Sequence, residues 1–183
     1  MANAKYPYVG DFKYLDEQGF PKCPGDEVCT YTCDETCPII AYRTSSELYQ
    51  SGDYDKALDL VSKAIVRIPD EKYPAAWCLH GCICLCRQSW REANNSFQQS
   101  YVLDRGHSEP LLGGIVATIN MGKFDEALEI CRKYVQDFGS DEDVEHLRQV
   151  AETEKQKAAE AQSAASETAD TVSIEAPDER VAP

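Results

Sequence analysis

The chain has 183 residues, 43% of them hydrophobic, and its 18 Lys and Arg stand against 32 Asp and Glu for a formal charge of −14. That length holds one domain with a real core plus loose ends, and the hydrophobic share excludes a chain disordered throughout. The acidic excess argues against nucleic acid or an anionic membrane as the main partner, since both repel it. A basic or apolar partner is favoured.

The first twenty residues, MANAKYPYVGDFKYLDEQGF, hold no apolar run of signal-peptide length. No segment approaches the roughly 18 apolar residues of a membrane helix. The nine cysteines are an odd number, which without an export signal reads as reduced thiols in a cytoplasm. A cytoplasmic location without membrane insertion is therefore expected.

Residues 1–37 are rich in Pro, Gly, Tyr, Asp and Cys, and form an irregular segment in this reading. The stretch CPGDEVCTYTCDETC places Cys23, Cys29, Cys33 and Cys37 within fifteen residues. Four thiols match the ligand count of a closed zinc or iron–sulfur site, though no C-x2-C knuckle is present. Cys29, Cys33 and Cys37 would share one face of a helix leading into the next region, with Cys23 folding back as a fourth ligand. The alternatives are a disulfide or thiol pair and a packing staple. Asp26, Glu27, Asp34 and Glu35 argue against a low-pKa nucleophile among these thiols.

Residues 38–150 are helical in pattern and repeat. SGDYDKALDLVSKAI (51–65), QSWREANNSFQQSYV (88–102) and MGKFDEALEICRKYV (121–135) align on Ala57, Ala93 and Ala127, which lie 36 and 34 residues apart. Gly52 and Gly122 precede the aromatics Tyr54 and Phe124 by two residues, and Ser89 precedes Trp90 directly. A period of that size marks a helical repeat array. Each copy reads as two antiparallel helices, the first closed by the Gly or Ser and the second opened by residues such as Asp55 or Asp125. One pair cannot bury its apolar face, so three stack.

These residues resemble the tetratricopeptide repeat (TPR) over about residues 38–140. Trp77, Gly81, Ala93 and Phe97 match the family pattern in the middle copy. Gly52, Tyr54, Ala57, Ala64 and Pro69 match in the first, and Gly122, Phe124 and Ala127 in the third. The resemblance implies an all-α, right-handed solenoid of three helix pairs with a concave groove as ligand surface. In that geometry the groove takes Tyr42, Arg43 and Tyr49 from the first pair, together with Ser46 and Gln50. The second pair gives Cys78, Leu79, Cys82 and Cys86, and the third gives Leu112, Val116 and Ile119, beside Glu109 and Asn120.

The stretch WCLHGCICLCRQSW (77–90) carries Cys78, Cys82, Cys84 and Cys86 around His80. Cys78, Cys82 and Cys86 form one helical stripe and Cys84 faces the other way, so the four do not converge. Cysteine as a small hydrophobe is the plain reading, with a Cys78/Cys82 metal site or a redox pair as alternatives. His80 stands where the family places a core leucine, and a satisfied core histidine is expected. Gly113 and Gly114 in LLGGIV read as close helix packing rather than an anion loop.

Beyond Gly139, Asp141 or Ser140 can cap a final helix whose apolar stripe is Val144, Leu147 and Val150. Residues 151–183 hold eight acids and three bases, net −5. They begin as a polar helical extension, and disorder is expected from about residue 165.

No G-x-S-x-G, Walker loop, G-x-G-x-x-G or H-E-x-x-H motif is present. A non-catalytic scaffold without cofactor is the expectation, one that holds another protein's segment in its groove. TPR domains that grip acidic C-terminal tails use Lys, Arg and Asn in the groove, and here Arg43 is the one base. An apolar segment is therefore the expected partner. Two alternatives stand beside it. One is a zinc or iron–sulfur protein whose repeats only deliver the metal. The other follows a resemblance in layout to the class II chaperones of type III secretion, which bind apolar segments of translocator proteins.

Overall fold

The computed structural model describes residues 37–67 and 73–172. Among these residues the chain forms seven helices and no strand: α1 (Pro38–Ser51), α2 (Tyr54–Arg67), α3 (Pro74–Cys86), α4 (Trp90–Leu103), α5 (Glu109–Asn120), α6 (Phe124–Phe138) and α7 (Glu142–Val172). Each helix packs on the next, and α1 also touches α3, α3 touches α5, and α5 touches α7. The result is a two-layer helical solenoid with the odd-numbered helices on one side. No described helix is long and apolar enough to cross a membrane.

Local chemistry sets the helix ends. Proline occupies the first turn of α1, α3 and α5, where its missing N–H leaves no hydrogen bond unmade. Gly52 closes α1 at φ 86°, with the Asp53 amide reaching back to the Leu48 carbonyl at 2.9 Å. Gly122 closes α5 in the same way at φ 72°, through Lys123 N–H to Thr118 O at 3.1 Å. These are left-handed caps of the kind glycine favours. The middle copy differs from the expectation that Ser89 ends its first helix. Gln88 takes the left-handed position at φ 59°, and the Ser89 amide bonds to Cys84 O at 2.9 Å. The turn is the same length in all three copies, so the backbone imposes φ > 0 on whatever residue stands two before the aromatic.

Ala57, Ala93 and Ala127 are each 0% exposed, as a helix crossing demands. The α1–α2–α3 core gathers Tyr42, Val61, Tyr73, Leu79 and Ile83, and the α5–α6–α7 core gathers Leu111, Ile115, Cys131, Tyr134 and Val144. Between them lies a cluster of Cys78, Cys84, Ala93, Phe97 and Ala117. Its centre is the Phe97 ring, 2% exposed and wedged between two glycines. A β-carbon on Gly81 would lie 2.7 Å from the ring, and one on Gly113 would overlap it outright. Gly113 is thus a packing glycine, whereas a β-carbon on Gly114 would meet nothing nearer than Asn94 Oδ1 at 3.7 Å.

Asp141 caps α7, its Oδ1 accepting the Val144 amide at 3.0 Å while Oδ2 accepts the Tyr134 hydroxyl. Val144 and Ala151 are buried and Leu147 is half-buried. α7 runs unbroken through residue 150 to Val172, beyond the point near residue 165 where disorder was expected. Its Ala, Glu, Lys and Gln content is strongly helix-forming, and the pairs Arg148–Glu145 (2.6 Å), Arg148–Glu152 (3.1 Å) and Lys157–Glu154 (2.7 Å) support the exposed face.

Candidate functional site

The odd-numbered helices carry the residues assigned to the groove. On α1, Tyr42 is buried against Tyr73, with ring centroids 5.0 Å apart, while Arg43 is exposed and Tyr49 half-buried. On α3, Cys78 is 1% and Leu79 0% exposed, Cys82 is half-buried and Cys86 exposed. On α5, Leu112, Val116 and Ile119 are half-buried. Leu79 corrects the groove assignment: it belongs to the α1–α2–α3 core and offers no surface. Its neighbour Cys78 lies about 100° away on the helix, so both cannot face one groove. α3 is apolar around nearly its whole circumference, so its sequence gave no facing signal. Tyr42 and Cys78 are likewise wall rather than lining. The accessible set is Arg43, Tyr49, Cys82, Cys86, Leu112, Val116 and Ile119, and Tyr54, at the start of α2, borders it. The Tyr54 ring packs on Tyr49 at 5.9 Å, and burial, followed by the neighbouring Cys82 and Cys86 thiols, pushes the Tyr49 hydroxyl well above its usual range.

The six described cysteines are all free thiols. Cys78 is pushed well up by its hydrogen bond with Cys82 and by burial. Burial, then the Glu92 carboxylate, raises Cys84 to about 11. As free thiols both stay protonated near neutrality, which suits small hydrophobes rather than nucleophiles. His80 is a satisfied histidine, its Nδ1 2.8 Å from Ser96 Oγ, and burial lowers its pKa against an opposing pull from Glu92.

Of the proposed N-terminal metal ligands, Cys23, Cys29 and Cys33 lie outside the described residues, as does Pro69. Cys37 is buried at the N-cap of α1, and the helix expected to carry Cys29 and Cys33 ahead of it lies outside the described residues. Among the described residues no group of three or more His, Cys, Asp or Glu comes together as a metal site.

No protein-family model matches the sequence, and no curated protein matches it. Solved structures do match in fold. The first TPR domain of Spaghetti (RPAP3), bound to the HSP90 peptide SRMEEVD, is 15% identical with a TM-score of 0.58, covering 66% of this chain and 94% of that one. The Sgt2 TPR domain from Aspergillus fumigatus is 18% identical at TM-score 0.57, covering 83% and 95%. The Yersinia enterocolitica type III secretion chaperone SycD, in complex with a peptide of the translocator YopD, is 15% identical at TM-score 0.54, covering 64% and 88%. With its helix pairs, its crossing alanines and these likenesses together, the chain has the tetratricopeptide-repeat fold.

Proposed function

We propose that the solenoid is a non-catalytic interaction module that holds an apolar segment of another protein in the groove of its odd-numbered helices. The observation that carries this reading is the groove's charge. α3 and α5 contain no Lys or Arg, and α1 contains Arg43 alone. A peptide rich in carboxylates would find little to offset its desolvation there, in a chain already at −14. Tyr49, Tyr54, Cys82, Leu112, Val116 and Ile119 instead offer neutral, largely apolar area to an extended or helical segment. The solved likenesses support a peptide ligand in general: one holds an HSP90 peptide and another a YopD peptide.

A titration of labelled SRMEEVD tests the charge argument. The wild-type chain should show no saturable binding below roughly 1 mM. The double substitution Cys82→Lys/Val116→Lys should create binding, because it supplies the missing cations on adjacent groove helices. Tight binding of this acidic peptide by the wild-type chain would overturn the reading.

A further inference from the structure

A second site lies away from the groove, in a cleft of about 290 Å³ between α4 and α6. Its floor is the outer face of α5. Asn94, Tyr101, Val102, Leu111, Gly114 and Ile130 line it, with Lys133 at one side. On α5, Leu111 and Gly114 lie roughly opposite Leu112 and Val116, so cleft and groove use different faces of one helix.

The internal repeat shows why the cleft exists. By the spacings of 36 and 34 residues, Asn94 corresponds to Leu58 and Gly114 to His80. In the preceding repeat that interface is filled: Leu58 packs against the central cluster and the His80 imidazole bonds to Ser96. One repeat later the large side chain is absent and the leucine is replaced by a carboxamide. Space and a polar group arise together. Asn94 is 6% exposed, and its Oδ1 has no hydrogen-bond partner among the described residues. A buried acceptor left unmatched is unfavourable, and in a cleft whose other polar groups include Gln98 and Lys133 it fixes the orientation of a ligand that carries a donor.

We infer that this cleft is a binding site for a small, uncharged heteroaromatic molecule bearing one N–H or O–H donor, its ring packed against Tyr101, Leu111 and Ile130 and its donor bonded to Asn94 Oδ1. The volume sits near the lower end of the roughly 300–1,000 Å³ of ligand pockets, which suits one or two rings. The site is independent of the groove and of any peptide bound there.

Indole and 1-methylindole are the probes, the second lacking the donor. Each is titrated into the full chain with backbone amide NMR as the readout. Indole should shift the amides around Tyr101, Val102, Gly114 and Ile130 saturably, and bind about tenfold tighter than 1-methylindole. Asn94→Leu, which installs the residue of the preceding repeat, should keep the fold and bring the ratio to about one. Gly114→Leu should fill the cleft and abolish both. Equal affinities for the two probes in the wild-type chain, a preference that survives Asn94→Leu, or no saturable shift at these amides would each overturn the assignment.

Discussion

Gly113 and Gly114 are adjacent in sequence and on one helix, yet alanine at the two positions should act in opposite directions. In a helix interior, Gly→Ala contributes about 1 kcal/mol, because glycine loses more backbone freedom on folding. At Gly114 nothing opposes this gain, since the nearest atom to a new β-carbon is Asn94 Oδ1 at 3.7 Å, an ordinary contact. At Gly113 the new methyl would overlap the Phe97 ring. That ring is held on its other side by Gly81, so relief would require it to shift toward the cleft that it borders. Overpacking of this kind costs about 1–3 kcal/mol, and the depth of the overlap places it at the upper end. The net expectation is about +1 kcal/mol for Gly114→Ala and about −2 kcal/mol for Gly113→Ala. Urea unfolding followed by circular dichroism measures both, with unchanged slope as the control for two-state behaviour. Adding Phe97→Leu to Gly113→Ala should recover part of the loss, because the smaller side chain vacates the overlap. Two substitutions of the same sign, or a harmless Gly113→Ala, would refute the wedge as the reason for this glycine.

Gln88→Gly should stabilise the chain by about 1 kcal/mol in the same assay, since Gln88 holds φ 59° at a position the other two copies give to glycine. No gain would show that the Gln88 side chain makes compensating contacts. His80 is held below its ordinary value chiefly by burial, so the unfolded chain takes up its proton more readily than the folded one. The His80 contribution is therefore present above about pH 6.5 and lost as pH falls below it, and His80→Gln should flatten stability between pH 7 and 5. A profile unchanged by that substitution would contradict the burial argument. Cys84, raised to about 11 mainly by burial, contributes in the opposite sense, with stability lost as pH rises from 9 toward that value. Under native conditions N-ethylmaleimide should label the exposed Cys86 first among the described cysteines, with Cys37, Cys78, Cys84 and Cys131 reacting only on unfolding. Labelling of Cys84 as fast as Cys86 would show that α3 opens readily.

The solenoid was legible because its determinants repeat. Ala57, Ala93 and Ala127 must be small wherever two helices cross, so they recur at a fixed spacing that needs no structure to see. The left-handed turn was legible only where glycine marks it. Gln88 satisfies the same backbone geometry without the marker, and Ser89 drew the assignment away. A common half-buried side was legible on α5, where Leu112, Val116 and Ile119 lie together. No such side was legible on α3, whose apolar residues run around the helix and leave Leu79 and Cys86 indistinguishable by pattern. The length of α7 was hidden because it has almost no apolar face past Ala151, and its helical preference comes from Ala, Glu and Lys alone. The cleft could have been found from the repeat register, by asking what Asn94 and Gly114 replace.

The groove is proposed to hold an apolar segment. Selection from a random peptide display library on the immobilised chain, with Val116→Asp as the counter-selecting variant, tests it most directly. Enriched peptides should carry apolar anchors at spaced positions, show no preference for C-terminal Asp or Glu, and lose binding in Val116→Asp at unchanged fold. Enrichment of acidic C-terminal peptides, or of peptides that bind Val116→Asp equally well, would contradict that proposal.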